Sequence, residues 1–150
     1  MVKAPALERI GPARYNRASE QRNVTSQKEE LMPEFVVVCK VDDVPEGSAK
    51  QFKVNGTEIA LAHVQGGECY AIGGRCTHLR AQLGKGSLEG TVLTCPWHAS
   101  QFEVTSGKLL RWVQEPPLWR ILGALVPPFL RRGVPSYEVK IEDGQVLVKI

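Results

Sequence analysis

Two short stretches, Cys76-Thr77-His78-Leu79 and Cys95-Pro96-Trp97-His98, decide how the chain is read. Each sets a histidine two or three residues after a cysteine. Sixteen residues, Leu79 to Thr94, separate the two pairs, which together take two of the four cysteines and two of the three histidines. Thiolate and imidazole donors suit zinc or an iron–sulfur centre. A finger-type zinc site groups like with like, at C-x2-4-C and H-x3-5-H. Here each local pair is mixed, an order that fits two irons clasped by two loops. Each loop then gives one cysteine to one iron and one histidine to the other. A zinc-stabilised protein-binding module is the alternative from a different class.

At these residues the chain resembles Rieske proteins, and the likeness extends to Pro96, Phe102 and Gly107. The resemblance implies one Rieske-type 2Fe-2S cluster, with Cys76 and Cys95 on the inner iron and His78 and His98 on the outer one. It also implies that Leu79, Pro96, Trp97, Ser100 and Phe102 shield or tune that cluster. Two ferric ions, two sulfides, two thiolates and two neutral imidazoles sum to zero charge. Reduction is therefore easier than in an all-cysteine cluster, in the range of roughly −150 to +300 mV. Respiratory Rieske centres carry an extra cysteine in each loop. Leu79-Arg80-Ala81 and Trp97 hold none, so the likeness is to soluble Rieske ferredoxins and to the Rieske domains of oxygenases. Ala99 stands where many members have glycine. A serine at the place of Ser100 donates a hydrogen bond to a bridging sulfide in high-potential members. Phe102 lacks the hydroxyl that a tyrosine there would supply.

The function this implies is one-electron transfer by a ferredoxin-like carrier between a reductase and an oxygenase or other oxidoreductase. A small electron-transfer subunit of a larger oxidoreductase is the runner-up. No nucleophile with a positioned base stands out, so no catalytic residue is assigned. The net charge of +3, with both signs interspersed, argues against nucleic acid as a partner. No apolar run reaches the roughly eighteen residues of a membrane span. The N-terminus lacks an apolar signal-peptide core, and a cytoplasmic location is expected. Cys39 and Cys69 sit in apolar, strand-like settings and read as buried small hydrophobes.

The fold expected is all-β: a Rieske-like antiparallel β-sandwich, a small cluster-binding subdomain formed by the two ligand loops, and one short helical insertion. Residues 1–33 are polar and read as a mobile extension, although Ser26 and Glu29 have capping-box spacing. Residues 34–150 read as the Rieske domain, with an insertion at about 114–135. Phe35 to Val41 is a β-branched run. Asn55-Gly56 and Asp143-Gly144 are strong hairpin signals. His63 falls within a strand and is left outside the site. Leu118, Ile121, Leu122, Leu125 and Val126 recur at helical spacing. Residues 118–130 are expected to form an amphipathic helix, flanked by Arg120, Arg131 and Arg132. That helix either packs on its own domain or docks a protein partner or a membrane surface.

Overall fold

The computed structural model describes residues 34–150, so the Ser26/Glu29 capping pair lies outside the described residues. Three antiparallel sheets frame the described residues. The first has the order β1 (Phe35–Lys40), β11 (Gln145–Lys149), β10 (Val139–Glu142). The second runs β2 (Ser48–Val54), β3 (Thr57–His63), β4 (Cys69–Gly73), β9 (Ser136–Tyr137). The third is small: β5 (Ser87–Glu89), β6 (Val92–Thr94), β7 (Gln101–Glu103), β8 (Leu109–Arg111). One α-helix, α1 (Pro117–Ala124), stands between β8 and β9.

Strand β3 explains how the sheets are stacked. Its side chains alternate between two faces, yet all five residues from Ile59 to His63 are buried. Ile59 and Leu61 pack with Val146 and Val148 of the first sheet, beside Val44, Val54 and Ala71. Ala60 and Ala62 turn the other way, towards Leu83, Leu93, Phe102 and Val104 of the small subdomain. Large side chains thus fill the sandwich interior, while small ones let the subdomain approach closely. Burying a side chain such as Phe102 contributes roughly 1.5–3 kcal/mol.

The hairpins form where the dipeptides require them. Asn55 and Gly56 have φ of 48° and 82°, and Asp143 and Gly144 have 51° and 73°. These are the left-handed pairs of a tight two-residue turn. Pairing of β1 with β11, Val36 opposite Val148, closes the sandwich from the two ends of the described chain. The helix is shorter than the sequence spacing suggests. It ends at Ala124, and Pro128–Leu130 form a separate 3-10 turn. No described helix is long and apolar enough to cross a membrane.

Candidate iron–sulfur centre

Both cysteine–histidine loops are the same closed turn. The Cys76 amide donates to the Ala81 carbonyl at 2.9 Å, and the Arg80 amide donates back to the Cys76 carbonyl at 2.9 Å. The Cys95 amide likewise donates to the Ser100 carbonyl at 2.7 Å, and the Ala99 amide to the Cys95 carbonyl at 3.2 Å. The fourth residue after each cysteine is left-handed, Arg80 at φ 60° and Ala99 at φ 57°. The left-handed geometry that glycine would adopt freely is therefore adopted by alanine, at a steric cost. The first loop is braced from the second sheet. Gln51 donates to the Gly74 carbonyl and accepts from the Gly84 amide, both at 3.0 Å. The Arg75 guanidinium pairs with the Glu58 carboxylate and donates to the Arg80 carbonyl at 3.0 Å.

These turns aim backbone N–H groups at sulfur. Cys76 receives the amides of His78 and Leu79, and Cys95 those of Trp97 and His98. The two thiols are buried beside each other. Their interaction, reinforced by burial, pushes Cys76 well up, and the same interaction pulls Cys95 down from the ordinary thiol value. His78 is held below its ordinary value, by burial first and by His98 second. A neutral imidazole is the form that binds metal.

The histidine rings stand edge to face, with centroids 4.8 Å apart. His78 Nδ1 is buried without a partner, and so is Ser100 Oγ, in a residue with no solvent exposure. Buried polar atoms are nearly always bonded. Two adjacent thiols, two adjacent imidazoles and two orphaned polar atoms therefore fit a group held between the loops. Among the described residues, no three His, Cys, Asp or Glu side chains converge on one ion position. A structural zinc takes four ligands at a single point. A two-iron cluster asks only two protein ligands of each iron, and the donor set matches it.

The sequence-derived shielding residues divide into rim and core. Leu79 and Trp97 are 48% and 60% exposed, and Pro96 is exposed as well. Trp97 meets His98 edge-on at 6.3 Å, so it lies at the rim rather than in the core. Phe102 is fully buried in the same core cluster as both site cysteines. His63 is buried elsewhere, with Nδ1 2.6 Å from the Val44 carbonyl. Two residues of the site escaped the sequence reading. Trp112 lies 5.3 Å from the His78 ring, and Trp119 lies 5.8 Å from His78 and 5.2 Å from His98. Their only signal in the sequence is that two indoles flank the start of the inserted segment.

The chain is similar to known proteins of one family. The family described as "Rieske [2Fe-2S] domain" matches residues 34–138. The ferredoxin component of the naphthalene 1,2-dioxygenase/salicylate 5-hydroxylase systems of Ralstonia sp. is 40% identical over 110 residues. That match covers 73% of this chain and 89% of the relative. The ferredoxin of carbazole 1,9a-dioxygenase from Nocardioides aromaticivorans IC177 has a similar fold, with a TM-score of 0.61 at 24% identity. It covers 77% of this chain and 96% of that one. A ferredoxin in a complex of reduced oxygenase and oxidized ferredoxin of carbazole 1,9a-dioxygenase matches at TM-score 0.58 and 26% identity, covering 77% and 92%. The paired cysteine–histidine turns and these matches together make the chain a member of the Rieske family, carrying a Rieske-type 2Fe-2S cluster.

Proposed function

We propose that this chain is a cytoplasmic ferredoxin that takes one electron from a reductase and passes it to a terminal oxygenase. Cys76 and Cys95 hold the inner iron, and His78 and His98 hold the outer iron. The domain spans 34–150, with 114–135 as an insertion. When bound, the cluster supplies reversible one-electron redox chemistry and needs no open coordination position. The observation that carries this reading is the pair of equivalent turns presenting two buried thiols behind two adjacent imidazoles.

The residues around the centre each have a task. The amides of His78, Leu79, Trp97 and His98 offset thiolate charge by donating to sulfur. Leu83, Leu93 and Phe102, all without solvent exposure, keep water from the cysteine side. Ser100 offers one hydroxyl from within that core. The histidines lie outward of the cysteines, partly exposed, where a partner can come within electron-transfer distance.

The test is anaerobic purification of the full chain with iron and sulfide analysis, followed by electron paramagnetic resonance after dithionite reduction. Two irons and two sulfides per chain with a Rieske-type signal are expected. A colourless, spectroscopically silent protein with stoichiometric zinc would overturn the reading in favour of a zinc-stabilised module.

A further inference from the structure

The segment between β8 and β9 is fastened to both ligand loops. At its start, the Gln114 and Glu115 amides donate to the His98 carbonyl at 2.8 and 3.2 Å. At its end, the Thr77 hydroxyl donates to the Arg132 carbonyl at 2.7 Å. Between these anchors runs α1. Arg131 closes the helix by donating to the carbonyls of Gly123, Ala124 and Val126 at 3.1, 2.8 and 3.0 Å. Gly123 is the one buried residue of α1, and it rests on Trp112. A Cβ there would lie 3.1 Å from Trp112 Cδ1.

Held in this way, α1 is oriented unusually for an amphipathic helix. Such a helix normally turns its widest apolar face to the core. Here Leu118, Ile121 and Leu122 are 63%, 64% and 46% exposed. Trp119, at 39% the least exposed of the large apolar side chains on α1, meets both histidine rings. Trp112 also meets His78 edge to face at 5.3 Å, so two indoles contact the partly exposed imidazole pair.

We propose that residues 114–132 form a strap capping the histidine pair, and that Trp119 is the positioning residue that keeps water and small polar oxidants away from it. This rests on reading the centre as a one-electron carrier. The formal charge of the centre is zero when oxidised and −1 when reduced. Water stabilises the more highly charged state. Excluding water therefore disfavours reduction, so the strap lowers the midpoint potential relative to bare histidines. Opening the strap raises it.

The experiment uses the cluster-loaded full chain and the variants Trp119→Ala, Trp119→Phe and Gly123→Val. Three quantities are measured: deuterium couplings at the reduced centre by pulsed electron paramagnetic resonance after exchange into D2O, the rate of oxidation by ferricyanide, and the midpoint potential. Trp119→Ala is expected to gain deuterium couplings, to be oxidised several-fold faster and to shift upward in potential. Trp119→Phe, which keeps an aromatic ring over the imidazoles, is expected to return towards the wild type. An intact spectrum in Trp119→Ala with all three quantities unchanged overturns the cap. If Trp119→Ala loses its cluster, Gly123→Val decides, because it keeps the indole but lifts α1 from Trp112. The same three changes there support the cap, and their absence overturns it. A wild-type protein without a Rieske-type signal defeats the carrier reading instead, so the two failures are distinguishable.

Discussion

Ser100→Ala should lower the midpoint potential of the centre by roughly 30–60 mV, a value built from two energies. Ser100 has no solvent exposure, and its hydroxyl has no partner among the protein atoms. Its carbonyl accepts the Cys95 amide at 2.7 Å, so the backbone beside it is fixed by the turn while the hydroxyl is not used in it. A serine that simply capped a turn would spend its hydroxyl on a nearby amide or carbonyl. A hydrogen bond to a charged acceptor contributes about 1.5–3 kcal/mol. Reduction adds negative charge at the sulfurs, so the bond is stronger in the reduced state. Only the difference between states enters the potential. Half the bond energy is about 0.75–1.5 kcal/mol, and about 1.4 kcal/mol corresponds to ~59 mV for one electron. The assay is a redox titration at fixed pH, with iron content and circular dichroism as controls for an intact centre. A midpoint unchanged within a few millivolts, with the cluster retained, would refute the donor assignment.

Phe102→Tyr adds a hydroxyl to a fully buried ring in the core cluster of Cys76 and Cys95. The midpoint should rise by a similar amount, at a stability cost of about 1–3 kcal/mol from overpacking; a stability loss without a rise would place the hydroxyl out of reach of sulfur. Gly107 has φ of 71°, and a Cβ there would run into the Val134 carbonyl. Gly107→Ala should lower stability by more than about 2 kcal/mol, and an unchanged urea midpoint would contradict this. The Cys39 thiol is pushed up to about 11, chiefly by burial. Only about one part in a thousand is thiolate at pH 8, so alkylation by iodoacetamide should be slow there and rise about tenfold per pH unit up to that value. Labelling of Cys39, which is only partly buried, at pH 8 at the rate of a free thiol would count against the raised value.

What the sequence revealed was local. Cysteine–histidine spacing is a short-range pattern, and so are Asn55-Gly56 and Asp143-Gly144, whose left-handed angles are set by the dipeptides themselves. What it concealed was long-range or tertiary. Nothing in Phe35–Lys40 specifies pairing with Gln145–Lys149, across most of the described chain. In the run Tyr137 to Ile141, β9 pairs with β4 while β10 pairs with β11. That run passes from one sheet to another, a change that periodicity does not record. β5, three residues in a glycine-punctuated stretch, carries too little alternation to register in the sequence. The apolar spacing of α1 left open whether Leu118, Leu122 and Leu125 pack on the domain or face outward; in the structure they are exposed, and Trp119 is the helix side chain that meets both histidine rings.

The two ligand loops differ in one respect, the histidine spacing, and their shared turn accounts for why that difference is tolerated. In each loop, the second and third amides after the cysteine point at its sulfur. In the first loop these belong to His78 and Leu79; in the second, to Trp97 and His98. The thiolate environment is therefore set by backbone position and does not depend on which residue carries the imidazole. Moving the histidine by one residue redirects a side chain without disturbing the sulfur. The turn that permits this ends in a left-handed residue in both loops, and neither Arg80 nor Ala99 is a glycine. Each such residue costs of order 1 kcal/mol or more. The surrounding bonds hold both in place: Arg75 to the Arg80 carbonyl on one side, and the strap amides of Gln114 and Glu115 to the His98 carbonyl on the other. Strain of this kind persists where neighbouring structure over-determines it, and here it sits at the two positions that close the turns around the buried thiols.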